Sequence, residues 1–360
     1  MFKRILPGII TIMLSILVIA PSIAGQQGQS GAVYVMTNAA DGNEIVVFDR
    51  DAKGRLTEVD LIPTGGLGSG GGLDPLGSQG SLILSQKWLL AVNAGSDDIS
   101  VFRVLPDGLL LADIFDSEGE FPVSLTIFHD LVYVLNGGVS PNITGFNLNH
   151  QGMLIPIPGS TRSLGSGAFA QVGFDPQGEV LVVTDRGEHE ILVFNVDEDG
   201  LPSPAPVTSP SNGLVPFGFT FTQQGHLLVS EAGSGAVSSY DILSDGTLEV
   251  ITPSVPNGQR ATCWIAGNRR HAFTTNTASN TISSYRVKAG KGEVVLREAI
   301  AGTGNLDIDL AVSINGLFLY VLNSDNGTIG MFRITSKGTL IDLGMINAGL
   351  SIFAQGIAAR

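Results

Sequence analysis

The sequence predicts an all-β fold, a seven-bladed β-propeller of four-stranded blades whose first blade is closed by the C-terminal strand. The main observation is an internal repeat that can be read seven times, with copies starting 43 to 55 residues apart, a spacing typical of propeller blades. Three landmarks keep the same order in every copy: a polar residue that ends an apolar strand, an aromatic residue, and a glycine. No long helical period interrupts the repeat, so residues 31–360 are predicted to form one domain.

Each copy is predicted to supply strands b, c and d of one blade, with the apolar run as a strand b buried on both faces. The glycine provides the left-handed backbone of a tight turn between strands c and d. The polar landmarks are Asn38, Asn93, Asn136, Asp185, Glu231, Asn276 and Asn323. The aromatic landmarks are Phe48, Phe102, Phe146, Phe194, Tyr240, Tyr285 and Phe332. The glycine landmarks are Gly54, Gly108, Gly152, Gly200, Gly246, Gly292 and Gly338.

The N-terminal segment has the pattern of an export signal. Lys3 and Arg4 precede an apolar run over residues 9–19, and small residues occupy positions 22 and 24, as in a signal peptide with its cleavage site. The run is short for a membrane span, and an uncleaved anchor is the alternative. We therefore expect a signal peptide over 1–24 and a linker over 25–30. The mature protein is expected to be secreted, periplasmic or part of the cell envelope, with no membrane span.

Charge and cysteine content limit the classes of partner. The formal charge is −14 at pH 7, and removal of Lys3 and Arg4 with the signal would make it −14 − 2 = −16. A chain this acidic is not expected to bind nucleic acid. The single cysteine, Cys263, permits no intramolecular disulfide. We therefore expect a monomeric ring that is held by packing and strand closure, with a buried, inert thiol.

The innermost strand a should precede each strand b. Counting back fourteen residues from the polar landmarks places it around Gln79, Pro122, Gln171, Phe217, Thr262 and Asp309. The first copy has no such strand before it, but residues 354–358 (AQGIA) resemble residues 170–174 (AQVGF). The C-terminal strand is therefore predicted to complete the first blade, which leaves no open sheet edge in the ring.

Two connections between blades are rich in turn-forming residues. Residues 65–72 (GGLGSGGG) are predicted to be a flexible connection between the first two blades, because no Gly-Lys-Ser/Thr follows as a phosphate loop requires. Residues 201–216 are predicted to be a second connection. Asn195, Asp197 and Asp199 imitate the start of a calcium loop, but position twelve is Pro206 instead of glutamate. No metal and no cofactor are predicted.

The starts of strands a and the ends of strands b meet on one face of a propeller, because strand direction alternates. We call this face the axial mouth, and we predict that a small-molecule ligand binds there. The predicted catalytic residues are Glu231, Arg260 and Asp309. The predicted ligand-binding residues are Gln79, Gln171, Arg186 and Gln355. Arginine could hold a carboxylate or a developing oxyanion, and Glu231 or Asp309 could act as a base.

Two groups of candidate residues have structural alternatives. The Asn landmarks are expected to cap strand ends and satisfy turn backbone groups. The turn over residues 186–190 places His189 between two glutamates. This histidine could serve as a base with a raised pKa, and the alternative is an exposed, charged hairpin tip.

The repeats resemble a known family. The YVLN sequences over residues 133–136 and 320–323 are similar to the YVTN repeat, and residues 99–102 (ISVF) and 107–109 (DGL) resemble blades of lactonase-family propellers. That family includes 6-phosphogluconolactonase-like and carboxymuconate-cyclase-like proteins. Its members often carry Pro-His at the start of an inner strand, where this chain has Ser78-Gln79, Ala170-Gln171 and Ala354-Gln355. Glutamine cannot exchange a proton at a useful pKa.

The resemblance implies an exported lactonase-family propeller and leaves two hypotheses about its function. The first is a hydrolase or cycloisomerase that acts on a lactone or a carboxylated small molecule at the axial mouth. The second is a non-catalytic binding or scaffold propeller of the cell envelope. Titratable groups that converge in the mouth would favour the first hypothesis, and a mouth lined by amides and hydroxyls would favour the second.

Overall fold

The structure is a computed structural model that describes residues 30–288, 290–301 and 306–360. Seven antiparallel sheets form the blades of a closed ring, as predicted. The expected signal peptide lies outside the described residues, as does the expected linker except for its last residue. In the described part of the chain, no helix is both long enough and apolar enough to cross a membrane.

The strands of each blade run from the axis outward in the order a, b, c, d. Blade 1 contains β1 (Gly31–Met36), β2 (Glu44–Arg50), β3 (Leu56–Pro63) and, innermost, β29 (Ile357–Ala359). Blade 2 contains β4 (Leu82–Ser85), β5 (Trp88–Asn93), β6 (Asp98–Leu105) and β7 (Gly108–Asp116). Blade 3 contains β8 (Pro122–Phe128), β9 (Leu131–Asn136), β10 (Asn142–Leu148), β11 (Leu154–Pro156) and β12 (Arg162–Ser163).

The other four blades follow the same order. Blade 4 contains β13 (Phe169–Phe174), β14 (Val180–Asp185), β15 (Glu190–Asn195) and β16 (Val207–Pro210). Blade 5 contains β17 (Pro216–Phe221), β18 (Leu227–Glu231), β19 (Ala236–Ile242) and β20 (Leu248–Pro256). Blade 6 contains β21 (Thr262–Gly267), β22 (His271–Asn276), the 3₁₀ turn Thr277–Ser279, β23 (Thr281–Val287) and β24 (Val294–Ala301). Blade 7 contains β25 (Asp307–Val312), β26 (Phe318–Asn323), β27 (Thr328–Ile334) and β28 (Leu340–Asn347).

The C-terminal strand closes the ring, as predicted. β29 pairs antiparallel with β1, with Tyr34 opposite Ala358. The guanidinium of Arg50 donates two hydrogen bonds, of 3.1 and 3.0 Å, to the carbonyl oxygen of Arg360. The first and last segments of the domain therefore share one sheet, and β1 is not left with an unpaired inner edge.

The polar landmarks end strand b in six blades. In blade 1 the prediction is two residues too long, because β1 ends at Met36 and Asn38 has a φ of 51°. A left-handed residue cannot continue a strand, and here its backbone N–H bonds to the Asn43 side chain at 2.8 Å. All seven landmark asparagine, aspartate and glutamate side chains are buried.

The glycine landmarks have two roles. All seven adopt a positive φ, as the predicted turn requires. Six of them also pack against the preceding blade of the ring, and a Cβ on Gly54 would lie 2.3 Å from the Phe318 ring of blade 7. The turn between strands c and d is therefore also a contact between blades, which the repeat alone did not predict.

Candidate functional site at the ring axis

Two predicted glutamines bind backbone groups of other blades. Gln171 accepts a 2.7 Å hydrogen bond from the backbone N–H of Phe219 and donates one of 3.2 Å to its carbonyl. Gln79 makes the same pair of bonds with Ile265 in blade 6, both at 2.9 Å, and so spans the axis. Phe219 and Ile265 lie in β17 and β21, the innermost strands of their blades, so the axis-facing edge of each strand has no neighbouring strand to bind its backbone groups. Both glutamines therefore join inner strands together.

Asp309 has a comparable role at the ring closure. Its carboxylate accepts hydrogen bonds from the backbone N–H groups of Leu310 at 2.8 Å and Ile357 at 3.2 Å. The residue is buried and lies in the β25 bulge with a φ of 56°. Burial and, to a smaller extent, the charge of Asp74 raise the pKa of Asp309 to about 7. Asp309 thus holds the closing strand through a carboxyl group that titrates near neutral pH.

The axial mouth is filled by a segment of the chain itself, residues 74–78. Gln355 is fully buried and donates hydrogen bonds to the Asp74 carboxylate at 2.9 Å and to the Ser78 carbonyl at 2.8 Å. The Trp264 indole donates to the same carbonyl at 2.9 Å. The Leu76 N–H donates to the Gln355 side chain at 3.2 Å. We call residues 74–78 the mouth segment.

The repeat pattern does not predict the mouth segment. Residues 65–72 do connect the first two blades, as predicted, but the next residues of the same connection turn into the axis. One signal was available: the connection from β3 to β4 runs over residues 64–81, far longer than most loops in compact domains. Loops of this length that contain no regular structure are often functional.

Asp74 and Arg186 are the two ionisable groups that meet at the mouth, and both are partly exposed. Burial raises the pKa of Asp74 to about 7, although the charge of Arg186 lowers it. No nitrogen of Arg186 lies within 4.0 Å of the Asp74 carboxylate, so the two do not form a direct ion pair. The charge of Arg186 therefore lowers the pKa of Asp74 without a direct contact between the two side chains.

Arg186 is held by packing. Its guanidinium lies over the Phe217 ring, 5.8 Å from the centroid, and a Cβ on Gly77 would lie 2.3 Å from Nη2. The Nε atom is buried and has no hydrogen-bond partner. An unpaired, buried donor on a cation is costly. The other guanidinium nitrogens of this partly exposed side chain also donate no hydrogen bond within the described residues, and they are able to bind an anionic or carbonyl oxygen. Arg186 is the predicted ligand-binding residue whose side chain keeps this capacity.

The structure does not bring the three predicted catalytic residues together. Glu231 is fully buried in blade 5, where its carboxylate accepts hydrogen bonds from Ser211, Ser238 and Ser254. Arg260 is exposed and donates to the Ala278 carbonyl at 3.1 Å in blade 6. Asp309 binds the closing strand, as described above. Their catalytic roles stay predictions.

A cavity lies on the other side of the axial glutamines. It has a volume of about 570 Å³ and reaches from Gln79, Gln171 and Asp309 to the far ends of the strands a, where Phe128 and Phe221 line it. The cavity therefore opens on the face opposite the mouth. The side chains of Gln79, Gln171 and Asp309 lie between this cavity and the mouth segment.

The remaining titratable candidates make local contacts. His189 accepts a 3.2 Å hydrogen bond from the Val215 N–H at Nδ1. Asp197 accepts hydrogen bonds from the Asp199 and Leu201 N–H groups and so caps its own turn. Within residues 30–288, 290–301 and 306–360, no three His, Cys, Asp or Glu side chains gather as metal ligands.

Comparison with known proteins agrees with this architecture. Residues 171–348 match the family model described as Lactonase, 7-bladed beta-propeller. The matched region covers blades 4 to 7 from Gln171 onward, so this part of the ring is similar to the seven-bladed propellers of the lactonase family. No curated protein matches the sequence significantly.

Solved structures share the whole ring at low sequence identity. A Pseudomonas aeruginosa periplasmic gluconolactonase is 18% identical with a TM-score of 0.72, over 91% of this chain and 98% of that one. A Bacteroides fragilis protein provisionally described as a 6-phosphogluconolactonase is 19% identical with a TM-score of 0.71, over 94% and 99%. A Lactobacillus plantarum protein is 16% identical with a TM-score of 0.75, over 91% and 98%. At these identities the likeness establishes the fold alone.

Proposed function

We propose that this propeller hydrolyses a lactone at the axial mouth, with Asp74 as the general base and Arg186 as the cation that stabilises the reacting oxygen. The observation that carries the proposal is their placement: both side chains are partly exposed, they lie at the centre of the ring, and they are not paired with each other. A carboxyl group with a pKa of about 7 is well matched to proton transfer at neutral pH.

The chemistry balances with these two groups and water. The Asp74 carboxylate takes a proton from water as the oxygen attacks the lactone carbonyl carbon. The carbonyl oxygen becomes an oxyanion, which the Arg186 guanidinium stabilises. The tetrahedral intermediate then collapses, the ring C–O bond breaks, and protonated Asp74 returns its proton to the leaving alkoxide. The product is an open hydroxy acid, whose carboxylate also suits an arginine.

We propose a sugar lactone as the substrate class. Two of the structural relatives are described as a 6-phosphogluconolactonase and a gluconolactonase, and the partly exposed guanidinium of Arg186 donates no hydrogen bond within the described residues. A ligand oxygen at this guanidinium would accept the hydrogen bonds that it does not make within the protein.

The second hypothesis, a non-catalytic binding or scaffold propeller, also has an observation in its favour. Most of the polar side chains near the axis form hydrogen bonds within the protein, namely those of Gln79, Gln171, Asp309 and Gln355. A mouth that kept only Asp74 and Arg186 for a ligand could bind a polar molecule without converting it.

The test is a lactone-hydrolysis assay on the purified protein, with glucono-δ-lactone and 6-phosphogluconolactone, with and without divalent ions. Asp74→Asn and Arg186→Gln are each expected to lower kcat/KM by about a hundredfold or more. Glu188→Gln is the matched control, because its exposed carboxylate lies in the same turn as Arg186, and it should keep activity within about twofold.

Three outcomes would contradict the proposal. Absence of hydrolysis above the uncatalysed rate would favour the binding hypothesis. Full activity of the Asp74 variant would remove its role as base. Loss of activity in Glu231→Gln or Arg260→Ala, with the Asp74 variant active, would place the chemistry at the residues that the sequence first indicated.

We also propose that the protein is exported and begins near Gly25 after signal cleavage. The argument comes from the sequence pattern and from the periplasmic relative. N-terminal sequencing of protein recovered from the envelope or medium tests it. An intact Met1 in the membrane fraction would instead favour the uncleaved anchor.

A further inference from the structure

A second concave site lies on the face opposite the mouth, over blades 5 to 7. It is a groove of about 1230 Å³. Its walls are the turn over residues 267–271 of blade 6, the turn over residues 312–317 of blade 7 and the adjoining residues 333–336. The Asn268 side chain donates a 3.2 Å hydrogen bond to the Gly316 carbonyl and so joins the first two of these turns. We call this the blade 6–7 groove.

The charge of the groove is opposite to that of the protein. The chain has 33 acidic and 19 basic residues, yet Arg269, Arg270 and Arg333 line the groove and, among its described residues, no Asp or Glu does. Arg269 and Arg270 are exposed. Within the described ranges, neither guanidinium has a hydrogen bond or an ion pair. Two adjacent arginines without acidic neighbours form a local positive potential that favours an anion.

The other lining groups indicate which kind of anion fits. Ile314 is 82% exposed and Ile341 is 50% exposed, so apolar surface alternates with the arginines. Gln223 and Ser336 add neutral hydrogen-bonding groups. The guanidinium group of arginine can bind a carboxylate through two parallel hydrogen bonds. Amides and hydroxyls can bind sugar hydroxyls, and apolar side chains can pack against the apolar faces of sugar rings. The volume exceeds that of most single-ligand pockets, which measure about 300–1,000 Å³.

We propose that the blade 6–7 groove binds a carboxylated oligosaccharide, with Arg269 and Arg270 holding its carboxylates. The site is separate from the axial mouth and does not depend on the function proposed there. The overall negative charge disfavours a long nucleic acid, because such a polyanion would extend beyond the groove onto acidic surface. A concave groove also fits an oligomer better than it fits the flat surface of an anionic membrane.

Calorimetric titration of the purified protein with tetragalacturonate tests the proposal. We expect saturable binding that weakens with salt and is lost with the methyl-esterified form of the same oligomer. Arg269→Gln with Arg270→Gln should weaken binding by about tenfold or more, since charge-assisted hydrogen bonds are lost. The matched control is Arg286→Gln with Arg297→Gln, which removes the same charge from exposed positions of blade 6 that do not line the groove. It should change affinity by less than about threefold.

Several results would overturn the proposal. Undetectable binding of tetragalacturonate would do so, as would equal weakening by both double variants, which would indicate a diffuse positive surface. Equal binding of the esterified oligomer would remove the role of the carboxylates. The groove would be assigned to another ligand if the oligosaccharide does not bind and either inorganic phosphate or vesicles containing anionic lipid do. That binding would have to depend on Arg269 and Arg270 in the same way. Circular dichroism and unfolding curves of the variants show whether each is folded.

Discussion

At the scale of single residues, the polar groups near the axis divide into those that join strands and those that stay available. Gln79, Gln171 and Asp309 each satisfy backbone groups on the innermost strands of the blades, whose axis-facing edges have no neighbouring strand. Buried polar groups need such partners, because an unsatisfied donor or acceptor costs about 1–3 kcal/mol. Asp74 and Arg186 differ, because they influence each other without a direct bond. A candidate site residue is therefore distinguished from an equally polar neighbour by a side chain that a ligand can still reach.

The first residue-scale prediction concerns pH and Asp309. Its pKa is raised from 3.8 to about 7 in the folded protein, so the folded state binds more protons than the unfolded state between these values. Protonated Asp309 therefore stabilises the folded protein. This contribution to the free energy of unfolding is complete below about pH 4 and is lost as the pH rises to about 7. Asp309→Asn removes this titration. Urea unfolding should show that the variant loses less stability than the wild type between pH 5 and pH 8.

Asp245 provides the control for this measurement. It is fully exposed, and hydrogen bonds from Thr247 lower its pKa, so Asp245→Asn should leave the pH dependence over this range unchanged. If Asp309→Asn and the wild type lose stability in parallel from pH 5 to pH 8, the raised pKa of Asp309 is wrong. The charge of Asp74 raises this pKa, so Asp74→Asn should shift the Asp309 transition to lower pH.

At the scale of elements, the repeat both defines the blades and, in six of the seven blades, brings its glycine turn against the preceding blade. The apolar strand b is buried on both faces, and its polar end residue satisfies neighbouring loops: Asn93 accepts hydrogen bonds from Asn43 and Thr64 of blade 1, both at 2.8 Å. The glycine turn allows strands c and d to pair and also fits against the preceding blade. Landmarks that define a blade therefore also connect it to its neighbour.

The element-scale prediction uses this double role at Gly54. Gly54→Ala introduces a side chain at a φ of 88° and places it 2.3 Å from the Phe318 ring. Both strain and overpacking oppose folding, and we expect a loss of about 1–3 kcal/mol in the free energy of unfolding. Gly72→Ala is the control, since no atom lies within 4 Å of its added Cβ. Equal stability of the two variants would contradict the packing role.

At the scale of the whole molecule, closure depends on one short strand. β29 is three residues long, yet it completes blade 1 and supplies the Ile357 N–H that donates to Asp309. Gln355, just before it, holds the mouth segment. The C-terminus therefore connects ring closure with the floor of the proposed site.

The molecule-scale prediction is a truncation. Deletion of residues 351–360 removes β29, exposes the inner edge of β1 and releases the mouth segment. We expect aggregation or a large fall in melting temperature, measured by scanning calorimetry and light scattering. A truncated protein that melts at the wild-type temperature would show that β29 is not needed for closure. Addition of a peptide with the sequence of residues 351–360 should restore part of the lost stability.

The sequence alone determined the blade count, the strand b ends in six blades, the glycine turns and the closing strand, because each follows from local periodicity and turn chemistry. Only the tertiary structure decided what the polar residues at the axis do. Gln171 and Glu231 look equally suited to a ligand in the sequence. In the structure Gln171 binds Phe219 in the next blade, and Glu231 accepts hydrogen bonds from two serines of blade 5 and one in the connection before it. Asp74 was missed because its value as a base comes from burial and from Arg186, which lies 112 positions away in the chain. Such a pKa depends on distance in space, which a repeat pattern does not encode.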